Sequence, residues 1–323
     1  MAWDRRDFLK STLAALAGTG TAEAAPHARA SSVGAQAPVA LFTGFEIRKI
    51  QTSGATIHTL RGGGGPPLLL LHGYPQTHVE WHKIAARLAQ RFTVVMADLR
   101  GYGDSSKPAE GENHVNYSKR AMARDQVEVM KALGFERFAI VGHDRGARVA
   151  WRTAVEHPDR VTRAAVIDIV PKPYSNVTRE FATAFFHWFF LIQPAPLPET
   201  LIGNNAEFYL RRFLGGPSIA PEAFAEYLRC FKDPATIHAT CEDYRAGATI
   251  DLTHSDEDRG KQVACPMFVL WGERGTVGRL YDVMQIWRDH ATTVSGKSLP
   301  GGHFLPEELP DDTLAALVPF LQG

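Results

Sequence analysis

The chain has 323 residues but only three cysteines, Cys230, Cys241 and Cys265. An odd number at wide spacing excludes a disulfide framework, and the three read as small buried hydrophobes. No Cys-x-x-Cys pair and no His-Glu-x-x-His helix occurs, so motif spacing gives no metal site. A surplus of one charge is also missing. Lys+Arg and Asp+Glu each number 35, leaving a formal net charge of zero. A nucleic-acid partner would call for a basic surplus to meet its phosphates, and none is expected. No membrane span is expected either, because the weakly apolar run near the N-terminus is too short and too rich in glycine. What is present is a 45% hydrophobic composition. That suffices for one large core with room for an inserted lobe.

The first thirty residues stand apart. "DRRDFLKSTLAALAGTGTAEAAPHARA" opens on Arg5 and Arg6, continues through Phe8, Leu9 and Lys10, and then turns weakly apolar. Ala22-Glu23-Ala24 offers a small-x-small cleavage site before Ala25. Charged, apolar and small-residue regions in this order resemble a twin-arginine export signal over 1–30. The expected location is the periplasm, or the cytoplasm if the signal is not used.

The remaining chain alternates between two periods. "FEIRKIQTSGATIHTLRG" predicts two strands around a Ser-Gly turn. "PPLLLLHGYP", "TVVMADLRGYGDS", "RFAIVGHDRG", "RAAVIDIVP" and "PMFVLWGERG" are apolar runs of the length of buried strands, and a short strand precedes "LPGGHF". Between them, "HVEWHKIAARLAQRF", "YSKRAMARDQVEVMKALGF", "ARVAWRTAVEHPDRV" and "RLYDVMQIWRDHA" carry helical spacing, and "PDDTLAALVPFL" closes the chain as a helix. Strands alternating with helices imply crossover units and a mostly parallel sheet in an α/β architecture. Residues 172–262 break the rhythm. This stretch is rich in aromatics and proline and has no obvious strand, so it is expected to be a helical cap inserted between core segments 31–171 and 263–323.

The stretch "IVGHDRGARVAW" raises the chemical question. An apolar strand climbs to Gly142, turns over His143-Asp144-Arg145-Gly146 and continues as a helix. This is a nucleophile elbow with Asp144 where serine is usual. A carboxylate there can displace a leaving group from saturated carbon, giving an ester that water then hydrolyses at the enzyme's own carbonyl. His303 in "LPGGHF" follows the last predicted strand, where the chain order nucleophile–acid–histidine places the base. A carboxylate must fix its tautomer. Asp168 in "VIDIVP" is the first candidate, and Glu273 in "WGERGTVG" is the alternative. Oxyanion donors are expected from the backbone amides of Arg145 and Tyr74. Arg145 and Arg148 lie three apart on one helix face, and their planar forks suit a substrate carboxylate.

Elbow, inserted segment and closing histidine together resemble the α/β-hydrolase family over residues 40–320. The Asp-Arg-Gly-Ala-Arg continuation and the His187-Trp188 pair are most similar to the fluoroacetate (haloacetate) dehalogenases. The resemblance implies a hydrolase that converts a 2-halo carboxylic acid to the hydroxy acid through an aspartyl ester. It also implies a halide pocket formed by His187, Trp188 and Tyr244, water as the co-substrate, no cofactor, and a homodimer. Epoxide hydrolases share the Asp and His but need two phenols. Tyr174, Tyr209, Tyr227 and Tyr244 are available for that role, whereas Arg145 directly after the nucleophile counts against a neutral substrate. A ligand-binding receptor on the same scaffold is a third reading, and it would not need His303 or Asp168.

Overall fold

The computed structural model describes residues 41–171 and 177–323. The export-signal reading and Tyr174 lie outside these residues. Eight strands form one sheet in the order β1-β2-β4-β3-β5-β6-β7-β8. They are β1 (Glu46–Gln51), β2 (Thr56–Gly62), β3 (Pro67–Leu71), β4 (Thr93–Ala97), β5 (Phe138–His143), β6 (Val161–Ile167), β7 (Met267–Gly272) and β8 (Val294–Leu299). β1 and β2 form the expected antiparallel pair, and β2 runs antiparallel to β4. Every other pairing is parallel. The central strands explain themselves by composition. Leu68 to Leu71 and Val94 to Ala97 are all fully buried, as befits parallel strands covered on both faces.

The core helices sit where the 3.6-residue period predicts, with two exceptions. α2 (Lys119–Ala132) starts at Ser118, whose side chain accepts from the Ala121 amide, and stops before Gly134 at φ +87°. α3 (Asp144–Glu156) leaves β5 directly. The predicted single helix over "HVEWHKIAARLAQRF" is instead a 3-10 turn (His78–Trp81) followed by the short α1 (Ala85–Leu88). Asp98 accepts both the amide and the ring Nδ1 of His78, which ties this turn to the end of β4. The helix predicted over "RLYDVMQIWRDHA" is likewise divided into α11 (Thr276–Leu280) and α12 (Val283–Arg288), where Asp282 caps the second piece through the Gln285 amide. α13 (Leu305–Glu308) and α14 (Pro310–Gln322) finish the chain.

Between β6 and β7 the described residues are helical throughout their regular elements. The helices are α4 (Arg179–Ala184), α5 (Phe186–Leu191), α6 (Leu197–Gly203), α7 (Ala206–Leu214), α8 (Pro221–Phe231), α9 (Pro234–Ala248) and α10 (Ile250–Glu257). Aromatic rings join this insert to the core loops. Tyr74 meets Phe213, Phe231 and Tyr244 edge-on at centroid distances of 5.9, 6.2 and 5.1 Å. Cys230 and Cys241 are buried as expected, whereas Cys265 is half-buried.

Candidate active site

Asp144 stands between β5 and α3 at φ +46°, a left-handed conformation that costs a non-glycine residue about 1–3 kcal/mol. Its neighbours make the turn sterically feasible. A Cβ on Gly142 would lie 2.4 Å from the Gly146 carbonyl oxygen, and one on Gly146 would lie 2.3 Å from that of Leu71. Both glycines are therefore required for α3 to start so close to the sheet. A Cβ on Gly73 would come within 2.8 Å of the Asp144 Cβ, so the "HGYP" turn can press against the carboxylate only because glycine is there.

That contact is used. The Tyr74 amide donates to Asp144 Oδ1 at 3.1 Å, while Oδ2 lies 3.9 Å from His303 Nε2. The turn itself is braced by His72. Its Nε2 accepts the Leu99 amide at 3.1 Å, so Nδ1 carries the hydrogen and donates to the Gly73 carbonyl at 2.9 Å. Burial opposes ionisation of Asp144. The charges of His303, His143 and Arg145 and the Tyr74 amide outweigh it and hold the carboxyl below its ordinary range.

His303 Nδ1 is 2.5 Å from Asp168 Oδ2. Asp168, at φ +49°, also accepts the Gly272 amide through Oδ1 at 3.0 Å. Glu273, the alternative partner, instead accepts the Ser298 hydroxyl. Burial disfavours the imidazolium, but the hydrogen bond and charge of Asp168, with the charge of Asp144, raise the His303 pKa to about 9. The loop carrying His303 reaches this position through Gly272, where a Cβ would sit 1.8 Å from the Gly302 carbonyl oxygen.

Two buried features were not legible in the sequence. The first is His143, the elbow residue before Asp144. Its Nε2 lies 2.9 Å from the His303 carbonyl oxygen, and its Nδ1 lies 3.0 Å from Glu80 Oε1. Glu80 Oε2 accepts the Gly73 amide at 2.9 Å, so one buried pair touches both the histidine loop and the "HGYP" turn. The second is Asp243. Arg145 donates to it from Nε at 2.8 Å and from Nη2 at 2.6 Å, and Tyr102 donates its hydroxyl at 2.7 Å. The Lys119 ammonium also bonds Asp243. The charges of Arg145 and Lys119 pull the Asp243 pKa well down against its burial. Only the spacing of Arg145 was visible in the sequence, not this distant counter-ion. The Arg145 guanidinium lies 4.2 Å from the Tyr244 ring centre, and that of Arg148 lies 5.3 Å from the Trp188 ring centre.

A cavity of about 190 Å³ opens beside Asp144. His303, Tyr74, His187, Trp188 and the unforeseen Arg212 line it. Such a volume suits a ligand far smaller than drug-sized molecules. Tyr244 packs behind the lining, edge-on to His187 and Tyr74. Its hydroxyl is buried with no hydrogen-bond partner among the described residues, and so is His187 Nδ1. Burial lowers the His187 pKa to about 3, so the ring is neutral. Of the other phenols, Tyr227 donates to Glu307 and Tyr74 donates to Tyr209. A separate buried cluster of His58, His78 and Asp98 has ligand-type atoms within 4.8 Å of one another. Asp98 there accepts from His78 and from the Asp104 amide, which makes it a knot of the 98–105 loop.

A family model described as alpha/beta hydrolase fold matches residues 66–308. The chain is 46% identical over 289 residues to a fluoroacetate dehalogenase from a Burkholderia species, covering 87% of this chain and 95% of the relative. It is 33% identical to a soluble epoxide hydrolase from a Corynebacterium species, covering 83% and 94%. Among solved structures, a putative alpha/beta hydrolase from a Nostoc species superposes with a TM-score of 0.85 at 60% identity, covering 87% of this chain and 99% of that one.

Proposed function

The chain belongs to the α/β-hydrolase family and is a hydrolase, and on that premise we propose that it removes halide from a small 2-halo carboxylic acid, converting fluoroacetate to glycolate. One observation carries this reading. Asp144 is held on a left-handed elbow with Oδ1 on the Tyr74 amide and Oδ2 toward His303, beside a small cavity lined by His187 and Trp188. The name of the Burkholderia relative supports the substrate class.

The reaction follows from which atoms are engaged. Oδ1 is occupied by the amide, so Oδ2 attacks the α-carbon while the carbon–halogen bond breaks and the halide leaves with the electron pair. His187, Trp188 and Tyr244 donate to the leaving halide. The unpartnered Tyr244 hydroxyl gives this pocket a donor whose own hydrogen bond is made only as charge develops. Arg145 and Arg148 hold the substrate carboxylate. Oδ1 is then the carbonyl oxygen of the ester, on the Tyr74 amide that it already accepts, and we assign the Arg145 amide as the second donor of the oxyanion hole. His303, oriented by Asp168, takes a proton from water, which attacks the ester carbonyl. The imidazolium then returns the proton to the departing alkoxide oxygen, releasing the hydroxy acid and restoring the Asp144 carboxylate.

The charge change links the two steps. In the resting site Asp144 helps keep His303 protonated, with a pKa of about 9. Esterification removes that negative charge, so the imidazolium loses part of its stabilisation as a base becomes necessary. We assign the insert of residues 172–262 the role of a cap over this site, and the N-terminal segment that of an export signal.

The test is ion-electrode measurement of fluoride released from fluoroacetate, with chloroacetate and an epoxide run in parallel and Asp144→Ala as blank. Fluoride that depends on Asp144 is the expected result. Diol from the epoxide, with no halide from either acid, would replace this reading with an epoxide hydrolase.

A further inference from the structure

Outside the cavity lies a wider cleft of about 910 Å³, walled by α4 and its cap residue, by α7 and by α11. Ala184, Arg212 and Thr276 line both spaces, so the cleft adjoins the cavity. Its charged residues are Arg179, Arg212, Arg279 and Glu180. Three cations against one anion is a local excess in a chain whose formal charge is zero. Glu180 lies 3.7 Å from Arg279, so one carboxylate of the insert already occupies the position that a ligand carboxylate would take on the core side. Arg212 is solvent-exposed and stands 5.8 Å from the Phe186 ring, at the boundary between the two spaces.

We propose that this cleft is an outer anion-binding station for small carboxylates. It captures the substrate on Arg279 and Arg179, where it displaces Glu180, and Arg212 passes it to the inner cavity. The hydroxy acid and halide anions leave by the same route. The inference rests on the reading of the substrate as a carboxylate. Physically, a cleft of one charge sign concentrates counter-ions at its mouth and raises the association rate. Screening limits the effect: the reach is about 30 Å at 0.01 M salt and about 8 Å at 0.15 M.

The experiment measures kcat/KM for fluoroacetate from 0.01 to about 0.5 M ionic strength in the full chain and three variants. Arg279→Glu is expected to lower kcat/KM at low salt about five- to tenfold, with the difference vanishing at high salt. Glu180→Gln is expected to raise it, because the internal competitor is gone. Arg48→Glu, on edge strand β1, makes the same change in net charge and is expected to leave kcat/KM unaltered. Thermal melts of each variant confirm folding, and Glu180→Gln tests the station with the opposite sign if Arg279→Glu fails to fold. A flat salt response in the wild type, or equal effects of Arg279→Glu and Arg48→Glu, would overturn the station while leaving the proposed reaction standing. Absence of halide release by the wild type from any 2-halo acid would overturn the reaction and the carboxylate ligand together.

Discussion

Replacing Asp168 by Asn separates the two chemical steps. In the structure Asp168 holds His303 Nδ1 at 2.5 Å and is the main reason its pKa stands near 9 and not 6.5. That elevation corresponds to about 2 kcal/mol of preference for the imidazolium once screening at the ring, whose side chain is 31% exposed, is allowed for. Asn cannot supply it, and burial, the opposing influence, then pulls the pKa down. In the proposed mechanism ester formation needs the Asp144 carboxylate, the substrate-holding arginines and the halide donors but no base, so Asp168→Asn should still release about one equivalent of halide per site in a rapid-quench experiment. Hydrolysis needs a base in the correct tautomer, so steady-state turnover should fall about 10³- to 10⁴-fold. Intact-mass spectra of the quenched variant should show an added carboxymethyl group of about 58 Da on the peptide containing Asp144. A variant whose burst disappears in proportion to its turnover, or one that turns over within tenfold of wild type, would show that His303 and Asp168 do not divide the work in this way.

Four further outcomes follow from the same site. Tyr244→Phe removes an unpartnered buried hydroxyl, so the melting temperature should hold or rise while fluoride release falls more than chloride release; equal losses for the two halides would argue against a halide donor. Asp243→Ala strips Arg145 and Lys119 of their shared counter-ion and should destabilise by about 3–5 kcal/mol, which urea unfolding would measure. Gly146→Ala forces a Cβ to within 2.3 Å of the Leu71 carbonyl oxygen and should cost at least about 1–3 kcal/mol; wild-type stability would mean the elbow relaxes freely. Because the folded pKa of His303 is raised to about 9, its contribution to stability is fully present below pH 6.5 and lost as pH rises through 9, so His303→Ala should flatten the decline in melting temperature over that window.

The fold was legible where burial is two-sided. Runs such as Leu68–Leu71 fall on central parallel strands because no polar residue interrupts them. The boundaries failed where a distant side chain decides them. Asp98 secures the 3-10 turn at His78 that replaces the start of one predicted helix, and Asp282 caps the second half of another. Asp144 and His303 were legible as candidates because elbow spacing and chain order mark them. The preference for Asp168 over Glu273 comes from the family resemblance, and it is Asp168 that meets His303 Nδ1. Asp243 and Glu80 were not legible, because their partners Arg145 and His143 lie 98 and 63 positions away and no local period links them. Arg212 was hidden for a related reason. An exposed arginine on an amphipathic helix looks like any other until the cavity it borders is known.

The Asp243 carboxylate has a bearing on how the insert could move or be exchanged. A single side chain of α9 fastens Lys119 of α2, Arg145 of α3 and Tyr102 of the loop after β4. An insert riveted at that point cannot lift from the sheet as one rigid flap without exposing three partners at once. Breathing that admits ligand would have to hinge on α4 to α7, with α9 stationary. Amide exchange should accordingly be slow along α9 and faster in α4 to α7. For recombination, the crossover that transplants this insert onto another scaffold must bring the α2 and α3 partners with it. The functional unit to swap is therefore larger than the contiguous stretch of sequence between β6 and β7.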